Sequence, residues 1–316
     1  MPDQKAMAMT RAAALPILDA GATVAALPWS RLVDALEAML ERKAAGSTLA
    51  PERLALPLPG GMLLAMPASD GEYASTKLVT VHPGNPARGL PTLLGELLLM
   101  RADTGQRLLI LDGPALTARR TAALSVLAAR RLAPRARGPL LIVGAGIQGR
   151  AHLEAFASVM GTRQAFIASR TRASAEALAL HGRSLGIDAR AVAGADDALA
   201  QAGVVVTATT STAPVIGDGV RDDAFVAAVG AYRPEMCELP AALLHRARVY
   251  VDDPAGARHE AGDILQAGLD WARVTALEDV VAGAAAPPAH GPVVFKSVGQ
   301  ALWDLAAARL ALEARQ

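Results

Sequence analysis

The spacing of apolar residues changes character twice along the chain. Residues 1–27 carry no sustained period and predict a short strand or loop lead-in. Leu32, Val33, Leu36, Met39 and Leu40 then recur at helical spacing, which predicts a helix capped by Ser30, running to Ala45 and stopped by Gly46. From 51 to 112 the texture differs. Short runs (Leu54–Leu56, Met62–Met66, Leu78–Val81, Glu96–Met100, Leu108–Leu111) stand between Pro and Gly clusters, the pattern of antiparallel strands joined by turns. After Asp112-Gly113-Pro114, Thr117 is the predicted cap of another helix. Its stretch from Ala118 to Leu132 has no charge between Arg120 and Arg130, so it is apolar on nearly every side and predicted to be buried.

From Pro139 to about residue 282, strands and helices alternate. Leu140–Val143, Ala165–Ala168, Val204–Thr207, Ala224–Val229 and Val249–Val251 are near-continuous aliphatic runs, with helices predicted from Arg150 to about Met160 and from Ser174 onward. Strands apolar on both sides and separated by helices point to a parallel sheet covered on both faces, hence an α/β class. Ala284–Pro292 is a linker of Ala, Pro and Gly. Val293–Phe295 and a helix from Val298 or Gly299 to about Glu313 are predicted to return to the first part of the chain.

Composition narrows the function. Hydrophobic residues make up 52% of the 316 and aromatics only 3%, so the cores are aliphatic and the stacking platforms of a single-strand nucleic-acid binder are missing. Net charge is +1 with both signs interspersed, which leaves no electrostatic footprint for nucleic acid or a membrane surface. A single cysteine, Cys237, excludes an internal disulfide or a cysteine-built metal site, and the six His have no i, i+4 pair; no metal is expected. No apolar run approaches the roughly 18 residues of a membrane span. Arg11 and Asp19 confine the apolar part of a would-be signal peptide to seven residues. A soluble cytoplasmic protein is expected.

The clearest chemical signal is Leu140-Leu141-Ile142-Val143-Gly144-Ala145-Gly146-Ile147-Gln148-Gly149. A G-x-G-x-x-G directly after an aliphatic strand and at the opening of a helix is the context in which such a turn cradles a dinucleotide. Gly144 permits the tight turn, Gly146 lets the backbone approach a pyrophosphate, and Gly149 lets helix and strand pack closely. The helix N-terminus adds free N–H groups and a positive dipole end. The end of the next strand, where a dinucleotide site that prefers a free ribose 2′-hydroxyl usually carries Asp or Glu, reads Ala168-Ser169-Arg170-Thr171-Arg172. A hydroxyl and two guanidinium groups suit a 2′-phosphate, so NADPH is predicted over NADH, the weaker alternative. Arg170 and Arg172 also admit a plainer reading as solvated helix-start residues.

Several segments together resemble the ornithine cyclodeaminase/μ-crystallin family. They are Leu111-Asp112-Gly113 with Leu116-Thr117-Ala118-Arg119-Arg120-Thr121-Ala122-Ala123-Leu124-Ser125, then Val143–Gly149, and the tail Val294-Phe295-Lys296-Ser297-Val298-Gly299 with Asp304-Leu305. Pro51-Glu52-Arg53, Met66-Pro67-Ala68 and Lys77 fit as well, so the likeness spans roughly residues 25–310. It implies a Rossmann-type NAD(P)-binding domain (116–290) plus a split α+β dimerisation and substrate domain formed by both chain ends (1–115 and 291–316), and a homodimer. It also implies chemistry at an imine carbon next to a carboxylate, as in ornithine cyclodeaminases, some alanine dehydrogenases and reductases of cyclic ketimines.

Lys77 lies in Tyr73–Val81 and, in a strand, shares a face with Val79 and Val81. Burial there would lower its pKa and suit acid–base work, whereas a strand-end lysine would simply reach solvent. The position matches the family's catalytic lysine. Arg53 and Arg120 match its substrate-carboxylate ligands, a role for which a planar guanidinium is suited, and Val298 matches a substrate contact. Arg120 is predicted in the first turn of its helix, where the dipole disfavours a cation unless an anion lies near. Thr92, Arg120, Thr121, Ile147, Gln148, Ser169, Thr210 and Ser297 match positions that touch cofactor, beside Gly144, Gly146, Gly149, Arg170 and Arg172. Ornithine cyclodeaminases carry Asp where this chain has Tyr232 and Lys where it has Met236. An uncharged wall suits the methylenes of a ring, so the likeness favours NADPH-dependent reduction of Δ1-pyrroline-2-carboxylate to proline and of Δ1-piperideine-2-carboxylate to pipecolate. The alternatives are an alanine-dehydrogenase-like reductive aminase, ornithine cyclodeamination, and a μ-crystallin-like binding protein without turnover.

Overall fold

The ends of the elements are set by local chemistry. The computed structural model describes residues 14–133, 136 and 138–315, so the first half of the predicted lead-in, Arg11 included, lies outside the described residues. The rest of the lead-in is a short strand β1 (Ile17–Leu18) and a helix α1 (Ala20–Ala25), whose first turn is capped by the Asp19 carboxylate accepting from the Ala22 N–H at 2.8 Å. Helix α2 (Trp29–Ala44) buries the five apolar residues read from the spacing. It starts after Pro28 rather than at Ser30: Pro28 occupies the cap with extended backbone (φ −63°, ψ 138°) and no side-chain cap bond forms.

Residues 51–112 form the expected meander: β2 (Leu54–Leu58), β3 (Gly61–Ser69), β4 (Tyr73–Val81), β5 (Leu93–Arg101) and β6 (Arg107–Asp112), antiparallel throughout. With β1 parallel to β6 the sheet order is β1-β6-β5-β4-β3-β2. Helix α3 (Gly113–Leu132) is buried along most of its length, as expected of its composition, but it begins four residues before Thr117. Asp112 is the cap, accepting from the Ala115 N–H at 2.7 Å, and Pro114 sits in the first turn, where its missing N–H costs nothing. Arg120 is therefore two turns inside the helix and not in its first turn.

The remaining chain winds a parallel sheet. Its elements are β7 (Leu140–Val143), α4 (Ile147–Met160), β8 (Gln164–Ala168), α5 (Arg172–Ser184), β9 (Asp188–Ala191), α6 (Asp196–Leu199), β10 (Val204–Thr207), β11 (Phe225–Ala228), α7 (Ala241–Arg246), β12 (Arg248–Val251), α8 (Pro254–Glu260), α9 (Gly262–Gln266), β13 (Val274–Ala276), α10 (Leu277–Val281), β14 (Val293–Lys296) and α11 (Ala301–Glu313). All eight strands are parallel in the order β9-β8-β7-β10-β11-β14-β12-β13, a doubly wound Rossmann-type sheet that reverses direction between β7 and β10. One expectation is corrected here. Val293–Lys296 does not return to the first sheet but lies in the second, between β11 and β12, because four consecutive buried residues fit the middle of a sheet covered on both faces. Only α11 goes back, packing on β3, β4, β5 and α2. The crossing segment 297–300 consequently runs between the two sheets, beside the ends of β10 and β11. No helix among the described residues is long and apolar enough to cross a membrane.

Candidate active site

The loop after β7 has the geometry of a phosphate cradle. Gly144 has φ +110°, which only glycine adopts without strain, and a side chain there would also meet the Ala208 carbonyl. A side chain on Gly149 would collide with the Gly144 carbonyl, so helix and turn touch because there is no Cβ. Gly146 caps α4, and a Cβ there would find nothing within 4 Å, so its backbone faces open space. Helix α4 starts at Ile147, three residues earlier than its sequence suggested, so the N–H groups of its first turn belong to Ile147, Gln148 and Gly149. A groove of about 800 Å³ extends from this turn along Ser169, Arg170 and Thr171 to Gly194 on one side and Thr210 on the other. In shape and donor set the residues present fit a dinucleotide pyrophosphate.

A second cavity, of about 280 Å³, opens at the same switch point between the two sheets. Lys77, Arg53 and Arg120 all line it, from β4, the segment before β2, and α3. Lys77 projects from the covered face of its sheet with Ser75 and Val79, and is only 2% exposed. Its Nζ lies 2.7 Å from Asp304 Oδ2 and donates to Thr117 Oγ1 at 3.2 Å. Burial pushes its pKa from 10.5 down to about 8; the Asp304 carboxylate opposes that shift, and the nearby Arg120 and Arg53 charges add to it. Arg120 donates from Nε to the other Asp304 oxygen at 3.0 Å; two turns into α3, it is burial and not the helix dipole that calls for this anion. Arg53 donates through Nη2 to Glu260 at 2.6 Å and to the Val298 and Gly299 carbonyls at 3.1 Å, leaving its other nitrogens without partners among the described residues.

Buried carboxylates hold the cavity walls. Asp252 accepts from the Ser297 hydroxyl (2.7 Å), the Val298 and Gly299 N–H groups (3.1 and 2.9 Å) and Trp303 Nε1 (3.3 Å), which pins the crossing segment. Glu238 accepts from the Thr209 N–H and hydroxyl and from the N–H groups of Gly230 and Ala231, clamping the loops after β10 and β11; burial pushes its pKa up. Asp263 accepts from the Glu238 and Leu239 N–H groups and pairs with the fully buried Lys296 at 2.8 Å. Beneath Gln148, the His152 ring donates from Nδ1 to its carbonyl (2.7 Å) and accepts from Ser125 (2.9 Å), with a pKa pushed down by burial to about 4. A neutral His152 is a tie between α4 and α3, not an acid.

Of the residues singled out from sequence, Arg53, Lys77, Thr92, Arg120, Thr121, Gln148, Thr210, Ser297 and Val298 share the 280 Å³ cavity, and Gly144, Gly146, Ser169 and Arg170 line the groove next to it. The Gln148 Oε1 atom is buried without a partner among the described residues. Gly149 lies under the turn, and Ile147 is 69% exposed at the helix start. Arg172 lines neither space; it is exposed in the first turn of α5 and pairs with Glu176 at 3.3 Å. Sequence reasoning assigned no role to Asp304, Glu260, Asp252 or Glu238. Asp304 left a signal, being a lone acid among the apolar residues at the start of a mostly apolar helix.

A doubly wound sheet with a glycine-rich turn at its switch point, and a cationic cleft beside it, defines a dinucleotide-binding α/β protein. The chain belongs to the ornithine cyclodeaminase/mu-crystallin family, whose model matches residues 18–315. It is 42% identical over 312 residues to a Delta(1)-pyrroline-2-carboxylate reductase of Burkholderia multivorans, covering 97% of this chain and 98% of that one. It superposes on the Thermococcus litoralis Delta(1)-pyrroline-2-carboxylate reductase in complex with NADH and L-proline with a TM-score of 0.89, at 27% identity and coverage of 95% and 97%. It also superposes on an archaeal alanine dehydrogenase dimer with bound NAD, with a TM-score of 0.87, 27% identity and 95% coverage of both chains.

Proposed function

We propose that the protein is an NADPH-dependent reductase of cyclic α-imino acids, taking Δ1-pyrroline-2-carboxylate to proline and Δ1-piperideine-2-carboxylate to pipecolate. The convergence of Lys77, Arg53 and Arg120 in one cavity beside the phosphate turn carries the reading. When bound, the nicotinamide dinucleotide supplies the hydride. The protein's part is orientation and proton supply. Arg120, through the guanidinium nitrogens not used by Asp304, and Arg53, through those not used by Glu260, hold the substrate carboxylate. Lys77 as ammonium donates a proton to the imine nitrogen, and a pKa of about 8 lets it both hold and release that proton near neutrality. Leu64, Val79, Val81 and Tyr232 form the wall that meets the ring methylenes. Tyr232 offers no carboxylate for a second ammonium group, which disfavours cyclodeamination of a diamino acid.

Arg170 lines the groove and has no ion-pair partner among the described residues, leaving its guanidinium free for a 2′-phosphate; Ser169 beside it supplies a hydroxyl. Arg172, paired with Glu176, contributes less. Purified protein is expected to oxidise NADPH with either cyclic ketimine and to show a KM for NADPH at least about tenfold below that for NADH, the effect of one good charge-assisted contact. Absence of turnover with both ketimines would remove the proposal, and equal KM values would remove the preference. The reading places the enzyme in the cytoplasm, where NADPH is regenerated.

The reading includes a homodimer. The sheet face opposite α2, α3 and α11 carries Ile17, Leu54, Leu56, Leu78 and Leu94, each at least 40% exposed and all brought to one side by the strand register. A cluster of exposed large apolar side chains on one face is a usual mark of association. Light scattering is expected to report the mass of two chains, falling to one in Leu78→Glu; a wild-type mass of one chain would refute the dimer.

A further inference from the structure

Among the described residues, Asp304 is the one acid that touches two of the three cavity cations, and it does so with separate oxygens: Oδ1 on Arg120 Nε at 3.0 Å and Oδ2 on Lys77 Nζ at 2.7 Å. Its side chain is fully buried on α11, so both pairs are screened much less than exposed ones. We infer that Asp304 is the positioning residue of the reaction, a fork that holds the proton donor and the carboxylate clamp at a set spacing and keeps Lys77 in its ammonium form. The inference rests on the proposed imine reduction, and it deepens that proposal. A cyclic α-imino acid bears its C=N and its carboxylate on one carbon, so donor and clamp must be held in register with each other. One carboxylate bridging both side chains provides that register.

Charge balance points the same way. Among the described residues, the charged groups acting on Lys77 are Asp304 from α11, Arg120 from α3 and Arg53 from the segment before β2, and Arg53 is itself paired with Glu260 from α8. Thr117 is neutral, and Glu96 on the neighbouring strand is in register with Leu78, on the opposite face. Three cations against two acids leave one positive charge, which one substrate carboxylate cancels. Without Asp304 the excess would be two, with both Lys77 and Arg120 buried, and the lysine is the group that would give up its proton.

The test is Asp304→Asn, which keeps shape and removes charge. The chain has four lysines (Lys5, Lys43, Lys77, Lys296), so selective ¹³Cε-lysine labelling gives few signals, and that of Lys77 is the one absent from Lys77→Met. In the free Asp304→Asn protein the Lys77 midpoint is expected to fall from about 8 by about 1–3 pH units. The alkaline limb of kcat/KM for reduction should move down by the same amount, so that activity lost at pH 8 is recovered in part at pH 6. Asp304→Glu keeps the charge and lengthens the fork; it should leave the limb in place while kcat falls about tenfold at unchanged KM for NADPH. It carries the test alone if the Asn variant does not fold. A Lys77 midpoint unmoved in Asp304→Asn, or a wild-type kcat in Asp304→Glu, overturns the inference. A wild-type protein inert toward ketimines would instead remove the functional proposal, and the lysine titration would still stand or fall on its own.

Discussion

Lys77→Ala is expected to lower turnover of Δ1-pyrroline-2-carboxylate by about 10²–10⁴, the range for loss of a positioned general acid, while the Kd for NADPH stays within about twofold. The separation follows from position. Lys77 lies on β4 facing the 280 Å³ cavity, whereas the glycine-rich turn and the groove past Ser169 and Arg170 are built by other elements. Loss of the side chain leaves Asp304 still paired with Arg120, so the fold retains a partner for the buried acid. The pH dependence has a definite sign. Lys77 is protonated below about 8, so reduction runs on the acidic side and loses about tenfold per unit above it, whereas oxidation of proline, which needs the neutral amine, gains there. Lys77→Ala should lose both limbs. A variant with unimpaired turnover would show that Lys77 neither donates nor orients.

Much of this was legible in the chain. Short aliphatic runs named six of the eight strands of the parallel sheet to within a residue or so at each end, because a strand buried on both faces has no polar position to blur its ends; β9 and β13 were not foreseen. The glycine spacing marked the turn, whereas Lys77, Arg53 and Arg120 were singled out by the family resemblance and share one cavity in the structure. Illegible features were those decided by long-range pairing. Val293–Lys296 reads as an apolar strand in either sheet, and only its neighbours β11 and β12 decide which. Asp188–Ala191 is a strand with half its residues polar or exposed, at the edge where propensity is weakest. The cap of α3 is Asp112 and not the expected Thr117, because Pro114 is at home in a first helical turn and lets the helix begin directly after the strand. The acids Asp304 and Glu260 lie 184 and 207 residues from Arg120 and Arg53, and no local pattern ties such partners together.

Arg120→Met should separate binding from proton supply. Methionine fills the helix position with an unbranched apolar chain but has no donor for a carboxylate. Losing a charge-assisted clamp of two parallel bonds is expected to lower kcat/KM for the ketimine carboxylates by about 10²–10⁴. Turnover of 1-pyrroline, the same ring without the carboxylate, should change by less than about tenfold, since the missing contact has no counterpart in that substrate. Stability should fall by about 1.5–3 kcal/mol, the worth of one hydrogen bond to a charged group, because Asp304 loses Arg120 yet keeps Lys77. The Lys77 titration supplies a second readout of opposite sign to that of Asp304→Asn. Arg120 is a like charge that lowers the lysine pKa, so its removal shifts the alkaline limb upward from about 8. A fall in activity that is equal for ketimines with and without the carboxylate would assign Arg120 to the fold rather than to the substrate. A limb that moves down instead would show that the charges around Lys77 are not coupled as their distances imply.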